Sequence, residues 1–272
     1  MGGFCNRVGA IAGNTFREAI RMRLFLLLAV TGIVSLAGGL YFQEFNLGSS
    51  ELRFIADFGF GAMTLLGSIV AVVATVQLLY GEIEKRTILP ILSKPVSRAE
   101  FLLGKLLGAW LTICSFIGIL TLALLLALWI RELQMPDWSA EEALAGQSVR
   151  YSGVLLFAAM QCLRLMALAS ITAFFAAYAS SSLFAVFMGF FVWVVGQLRG
   201  AVVAEWGDGL GGSALKTLTL LVPDLRVFDL GSEVFEGSEA LSVSVLGLVV
   251  YALAYAALYG SLAALALKHR EL

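Results

Sequence analysis

The chain alternates between long apolar runs and short polar segments. A bilayer core about 30 Å thick requires roughly 20 mainly apolar residues to cross it as a helix. Six runs meet this requirement, over residues 24–42, 58–80, 106–130, 151–179, 183–206 and 241–267. The pattern therefore predicts an all-α integral membrane protein with six transmembrane helices, arranged as a single transmembrane domain over residues 1–272.

The fourth and fifth runs are separated only by Ser180, Ser181 and Ser182. One continuous helix is the alternative, but it would need 56 residues and would overshoot any bilayer. We therefore expect a tight helical hairpin at the three serines.

The stretch before the first run has its own helical pattern. The charged residues of this stretch lie away from one face, on which apolar residues recur at helical spacing. These apolar residues are Val8, Ile11, Ala12, Phe16, Ala19 and Ile20. This pattern is typical of an amphipathic helix lying on the cytoplasmic leaflet. A frayed N-terminal extension is the alternative.

Composition and charge fix the class and the orientation. The chain is 60% apolar and only 14% charged, which excludes an ordinary soluble enzyme. With the N-terminus inside, the inside segments carry eleven Lys and Arg residues against six outside. Because Lys and Arg are enriched on the cytoplasmic side, both termini are predicted to be cytoplasmic. The protein itself is predicted to lie in the cell inner membrane.

The loop over residues 207–240 contains a short apolar run, residues 215–222, which ends at Pro223. It is too short to span, and glycines precede it. This pattern predicts short re-entrant helices in the outer leaflet before the sixth span. A loop anchored by buried side chains is the alternative.

The inside loop over residues 81–100 has dense charges of both signs. Ser97 and Glu100 form an S-x-x-E capping box, so a helix is predicted to start here and to continue into the third span. We interpret the loop as a docking element for a partner, with a bare structural loop as the alternative. Gly104 and Gly108 form a G-x-x-x-G pattern that would permit a close helix contact.

Arg164 lies near the middle of the fourth span, and Gln161 shares its helix face. An arginine at this depth costs at least roughly 2.5 to 3.5 kcal/mol. Both residues are candidates for a pathway surface or an interhelix polar contact. Alternatively, Arg164 is satisfied by backbone carbonyls, by hydroxyls such as that of Ser170, or by a neighbouring subunit.

Several kinds of chemistry are missing from the sequence. It has no P-loop motif, so any ATP hydrolysis must take place in a partner subunit, and no catalytic residue or cofactor is expected in this chain. Cys5, Cys114 and Cys162 are far apart in the chain and indicate neither a disulfide framework nor a zinc site, while His269 is the sole histidine. No nucleic-acid signature is present.

The run GEIEKRTILPILSKPVSRAEFLLGKLLG, Gly81 to Gly108, resembles the stretch that follows the second span of ABC-2-type ABC transporter permeases. An E-x-E, a Thr, a Pro-x-Ser-Arg and a Gly-Lys recur there. The wider architecture of the chain is also similar to that of this family. Within the family, the chain is similar to permease subunits of multidrug-type exporters and to those associated with nitrous oxide reductase maturation. Pro90 interrupts the helical pattern in the middle of this run, because proline cannot donate a backbone hydrogen bond.

The resemblance implies a permease subunit of an ATP-driven exporter. A dimer, or a pair with a paralogue, would form the pathway in the lipid bilayer, and separate ABC-type ATPase subunits would hold ATP and Mg. The resemblance also assigns the inside loop as an ATPase-coupling element. Its candidate residues are Glu82, Glu84, Lys85, Arg86, Thr87, Pro95, Ser97 and Arg98. The rival hypothesis is a non-transporting scaffold or anchor that recruits a cytoplasmic ATPase.

Overall fold

The structure is a computed structural model that describes residues 2–42, 51–84, 97–134, 151–206, 221–229 and 241–269. These segments form α-helices and one short 3-10 turn, with no strand among them. The helices are α1 (Gly2–Ile20), α2 (Arg23–Phe42), α3 (Glu51–Glu84), α4 (Arg98–Leu133), α5 (Tyr151–Tyr178), α6 (Ser182–Trp206) and α7 (Leu241–His269). Helices α2 to α7 are long and apolar enough to cross a membrane. The prediction of an all-α chain with six membrane-length helices is thus confirmed for the described residues.

Two helices extend well past the apolar runs that predicted them. The run over residues 58–80 lies within α3, which begins at Glu51, and the run over residues 106–130 lies within α4, which begins at Arg98. With 36 residues, α4 is about 54 Å long, well beyond the roughly 30 Å of a hydrocarbon core. Backbone hydrogen bonding continues through the polar flanks, so apolar length marks the span but not the helix ends.

The serine-rich junction forms the predicted hairpin. Helix α5 ends at Tyr178 and α6 begins at Ser182. The Ala179 amide donates to the Phe175 carbonyl at 2.8 Å. The Tyr80 hydroxyl donates to the Ser180 carbonyl at 2.5 Å and ties the turn to the end of α3.

The centre of the bundle is formed by α3 and α5, which are the most buried of the membrane-length helices. The rings of Phe60 and Phe157 stack with centroids 4.1 Å apart. A Cβ added at Gly67 would lie 2.7 Å from a methyl carbon of Leu165, so the backbone of α3 approaches α5 where a side chain would clash. Small residues that allow this approach favour helix association where lipid offers no hydrophobic driving force.

Helix α1 covers part of α4. Its residues Val8, Ala12 and Ala19 are buried, and α1 packs along the beginning of α4. The predicted helix is therefore present, but much of the apolar face that the sequence assigns to the membrane surface contacts the protein itself. This difference arises because α4 extends beyond the span and offers α1 a helical surface.

The 3-10 turn, Arg226–Phe228, belongs to a short described segment, residues 221–229, that packs into the bundle. Phe228 is fully buried among Met160 of α5 and Leu248 and Ala252 of α7. Most of the predicted re-entrant run, residues 215–222, lies outside the described residues. What the structure describes is an inserted segment anchored by Phe228.

Candidate functional site

The first turn of α4 has the predicted cap. The Glu100 amide donates to the Ser97 hydroxyl oxygen at 3.2 Å, and the Ser97 amide donates to Glu100 Oε2 at 2.8 Å. The reciprocal bonds satisfy two amides that a helix start otherwise leaves without partners. They fix where the chain leaves the loop over residues 81–100 and becomes helical.

Two ion pairs join α1 to this part of α4. Arg7 Nη2 donates to Glu100 Oε1 at 2.6 Å, so one carboxylate serves both the cap and the contact. One turn further, Lys105 Nζ lies 3.5 Å from Glu18 Oε2, and the Lys105 side chain is only 2% exposed. Because Lys105 is buried, this pair is shielded from solvent on the Lys105 side.

The G-x-x-x-G pattern is the surface on which α1 lies. A Cβ at Gly104 would be 2.7 Å from Ile11 side-chain atoms, and a Cβ at Gly108 would be 2.5 Å from Thr15 Cβ and 2.9 Å from the Ala12 carbonyl oxygen. The predicted close helix contact is present, with α1 as the partner. Sequence reasoning missed the Arg7, Glu18 and Lys105 partnerships because these residues are far apart in the chain.

The remaining candidate coupling residues are described only in part. Glu82 and Glu84 lie in the last turn of α3 and Arg98 begins α4, but their side chains are not described. Lys85, Arg86, Thr87 and Pro95 lie outside the described residues. Of the eight candidates, the structure therefore gives side-chain geometry for Ser97.

Gln161 and Arg164 lie together in the interior, 0% and 1% exposed. Arg164 Nη1 donates to Gln161 Oε1 at 3.4 Å. Arg164 Nε, Arg164 Nη2 and Gln161 Nε2 have no hydrogen-bond partner in the described part of the chain. The Ser170 hydroxyl, which the sequence offered as a partner, donates to the Met166 carbonyl at 2.8 Å. Among the described residues, Asp229, beside the 3-10 turn, is an acidic residue close enough to act on Arg164 electrostatically, although the two side chains form no ion pair.

A pocket of about 700 Å³ opens between α3, α6 and the 221–229 segment. Its charged and aromatic lining includes Arg53, Asp57, Phe60, Trp193, Arg226 and Asp229. Arg53 Nε and Asp57 Oδ2 form an ion pair at 3.9 Å. Asp229 lines the pocket and lies within electrostatic range of Arg164, which is itself buried and is not part of the lining.

The 221–229 segment is held in place by polar contacts. Arg199 Nη1 donates to the Val222 carbonyl at 2.7 Å, and the Asp224 amide donates to the Tyr251 hydroxyl oxygen at 2.8 Å. The Leu225 amide donates to the Gly196 carbonyl at 3.1 Å. Sequence reasoning missed Arg199 and Tyr251, since no local motif marks a helix residue that will bind a backbone carbonyl or amide of a distant segment.

Two of the three cysteines lie close together in the bundle. Cys114 on α4 and Cys162 on α5 are free thiols whose side chains lie close enough to interact, while Cys5 is exposed on α1. The long separation in sequence gave no indication of this contact. Among the described residues, no group of three or more His, Cys, Asp or Glu residues could hold a metal ion.

Comparison with known proteins gives the family. The model of a family described as ABC-2 family transporter protein matches residues 9–260, which is nearly the whole chain. No curated protein was found to match the chain. The match includes α1 from Gly9 onward, all of α2 to α6 and most of α7. With its six membrane-length helices, the chain belongs to the ABC-2 family of transporter proteins.

Proposed function

We propose that this protein is the membrane-spanning permease subunit of an ATP-binding cassette exporter in the cell inner membrane. Two permease copies, or one copy and a paralogue, form the pathway, and both termini face the cytoplasm. The observation that carries the proposal is the family match over residues 9–260. Because the sequence has no P-loop, ATP and Mg belong to a separate ATPase subunit.

We place the coupling of ATP hydrolysis to transport in the loop over residues 81–100. This loop leads directly into the capped start of α4 at Ser97. Closure of the ATPase subunits would displace the loop, and α4 would carry the displacement into the membrane as one continuous helix of 36 residues. The contacts of α1 with Glu100 and Lys105 hold the start of α4 in place and so support this transmission of movement along α4.

Purification of the tagged chain from its native membrane tests the proposal. We expect a nucleotide-binding subunit to co-purify and the complex to hydrolyse ATP in a vanadate-sensitive manner. A chain that purifies without an ATPase under mild detergent would argue against a permease and for a membrane anchor.

Substitution of the loop charges tests the coupling role. The double variant Glu84→Ala with Arg86→Ala should insert normally but uncouple ATP turnover from transport. The matched control is Arg131→Ala with Glu132→Ala, at the opposite end of α4. Unchanged complex formation, ATP turnover and transport in the loop variant would rule out docking at these residues, without affecting the family assignment.

A further inference from the structure

The interior near Arg164 has hydrogen-bond donors without acceptors. Three buried nitrogen atoms of these two neighbouring side chains lack a partner among the described residues: Arg164 Nε, Arg164 Nη2 and Gln161 Nε2. A fourth is the indole nitrogen of Trp193, which belongs to the pocket lining. All four belong to donor groups. A buried donor left unpaired is costly, and more so when it belongs to a charged group. Within the described residues, these donors therefore lack acceptor oxygens, and a negatively charged acceptor would suit the guanidinium group best.

The pocket adjoins this donor-rich region. Trp193 lines the pocket, and Phe60, also in its lining, stacks on Phe157 of α5 at 4.1 Å. Phe157 lies four residues before Gln161, one turn away on the same helix face. Asp229 lines the pocket and interacts electrostatically with Arg164. One ring contact and one electrostatic interaction thus place the buried arginine close to the cavity, although neither Arg164 nor Gln161 is part of its lining.

The charges of this region favour an anion. Arg53 and Arg226 balance Asp57 and Asp229 around the pocket, and Arg164 adds one buried positive charge. In a low-dielectric interior, that buried charge attracts an anion more strongly than an exposed charge would. The rings of Phe60 and Trp193 supply an apolar surface beside it.

We propose that this pocket binds amphipathic anions, with a carboxylate or phosphate headgroup on the side nearest Arg164 and Gln161, which lie buried behind the lining, and an apolar body against Phe60 and Trp193. This inference rests on the proposed function in taking the ligand to be the exported substrate. Carboxylate and phosphate oxygens form charge-assisted bonds with a guanidinium group, so either headgroup meets the donor requirement.

A binding measurement tests the site without requiring ATP turnover. Radiolabelled dodecanoate is added to the full-length protein in phosphatidylcholine nanodiscs, with empty nanodiscs as background. We expect saturable binding that octyl phosphate displaces, whereas inorganic phosphate, dodecanol and dodecyltrimethylammonium do not. Displacement by inorganic phosphate as effective as by octyl phosphate would indicate a site for soluble anions and overturn the amphiphile assignment. Equal displacement by the cationic or neutral probe would overturn the role of charge.

Variants then locate the site. Arg164→Met should weaken dodecanoate binding at least about tenfold, and Arg164→Lys should keep it within about threefold. Arg17→Met, at an exposed position on α1, is the matched control and should bind as the wild type does. Unchanged binding in Arg164→Met, or equal loss in the control, would refute the assignment. If Arg164→Met fails to fold, the displacement of dodecanoate from the wild-type protein by the four competitors still tests the proposal.

The two proposals can fail separately. Dodecanoate binding that depends on Arg164 in a chain that never associates with an ATPase would retain the site and reject the exporter. An ATPase complex that hydrolyses ATP but shows no saturable dodecanoate binding would retain the exporter and reject this substrate class.

Discussion

Glu100 uses both oxygens of its carboxylate for different helices. Oε2 accepts from the Ser97 amide at 2.8 Å and so closes the first turn of α4, while Oε1 accepts from Arg7 of α1 at 2.6 Å. The side chain is therefore held from two directions, and the start of α4 is fixed relative to α1. This arrangement makes the position where the loop enters α4 a defined point.

The Ser97 cap gives a prediction at this scale. Ser97→Ala removes the acceptor of the Glu100 amide, and we expect the free energy of unfolding to fall by about 1 kcal/mol. Ser97→Thr retains a hydroxyl acceptor and should restore most of the loss. The change in stability is measured by heating each variant in detergent and monitoring the loss of folded protein by size-exclusion chromatography. Ser261→Ala, at an exposed site within α7, is the control. Equal losses in the control and in Ser97→Ala would show that the cap contributes nothing.

Residue-level prediction succeeded where the interaction is local. The capping box joins positions three apart, so the sequence displays it directly. Arg7 and Glu100 are 93 positions apart, and only packing of α1 on α4 brings them together. For Arg164, the sequence revealed the cost of burial but could not show that Asp229, in a distant loop, would lie within electrostatic reach.

At the scale of elements, the contact between α1 and α4 depends on two missing side chains. Gly104 and Gly108 let the backbones approach so closely that a Cβ at Gly108 would lie 2.9 Å from the Ala12 carbonyl oxygen. The sequence identified the glycine pair but not its partner. The helix that fills this surface precedes the first span and has an amphipathic pattern, which is equally compatible with a membrane surface.

Gly108→Val should therefore displace α1. The valine side chain would clash with Thr15 and with a backbone carbonyl that cannot rotate away within a helix. Thr15 is fully buried, so a cysteine introduced there should react slowly with a maleimide unless α1 moves. In a background without the native cysteines, we expect Gly108→Val to raise the labelling rate of Thr15→Cys at least about tenfold.

Gly118→Val provides the matched control on the same helix, because nothing lies within 4 Å of a Cβ at Gly118. It should leave the labelling of Thr15→Cys unchanged. Equal labelling rates in the two valine variants would mean that the glycine pair does not hold α1.

The packing of α4 against α5 has a second test. Cys114 and Cys162 are free thiols in contact, so a bifunctional methanethiosulfonate with a short spacer should link them. A protease site inserted in residues 135–150 lets the chain be cut between the two helices. We expect the two fragments to migrate together under non-reducing electrophoresis and to separate after reduction. Cys162→Ser should abolish the link, and separation of the cross-linker-treated wild-type fragments would contradict the packing of α4 on α5.

At the scale of the whole molecule, charge and burial divide the chain in different ways. The Lys and Arg residues are concentrated in the segments that the sequence predicts to face the cytoplasm. Arg164 departs from this distribution because it lies in the interior at 1% exposure. The cations of the predicted cytoplasmic segments would therefore direct the orientation of the chain. Lys105 is also buried but pairs with Glu18, whereas Arg164 is available for a contact inside the bundle.

The orientation determines whether the coupling proposal is physically possible, because residues 81–100 must face the compartment that contains ATP. We expect green fluorescent protein fused after Leu272 to fluoresce and alkaline phosphatase inserted within residues 207–220 to be active. The phosphatase needs disulfides, which form outside the cytoplasm. Exchanging the two reporters between the same sites is the control and should silence both. The opposite pattern would place the capped start of α4 outside the cell and exclude an ATPase there, while leaving the family assignment and the Arg164 pocket to be judged on their own tests.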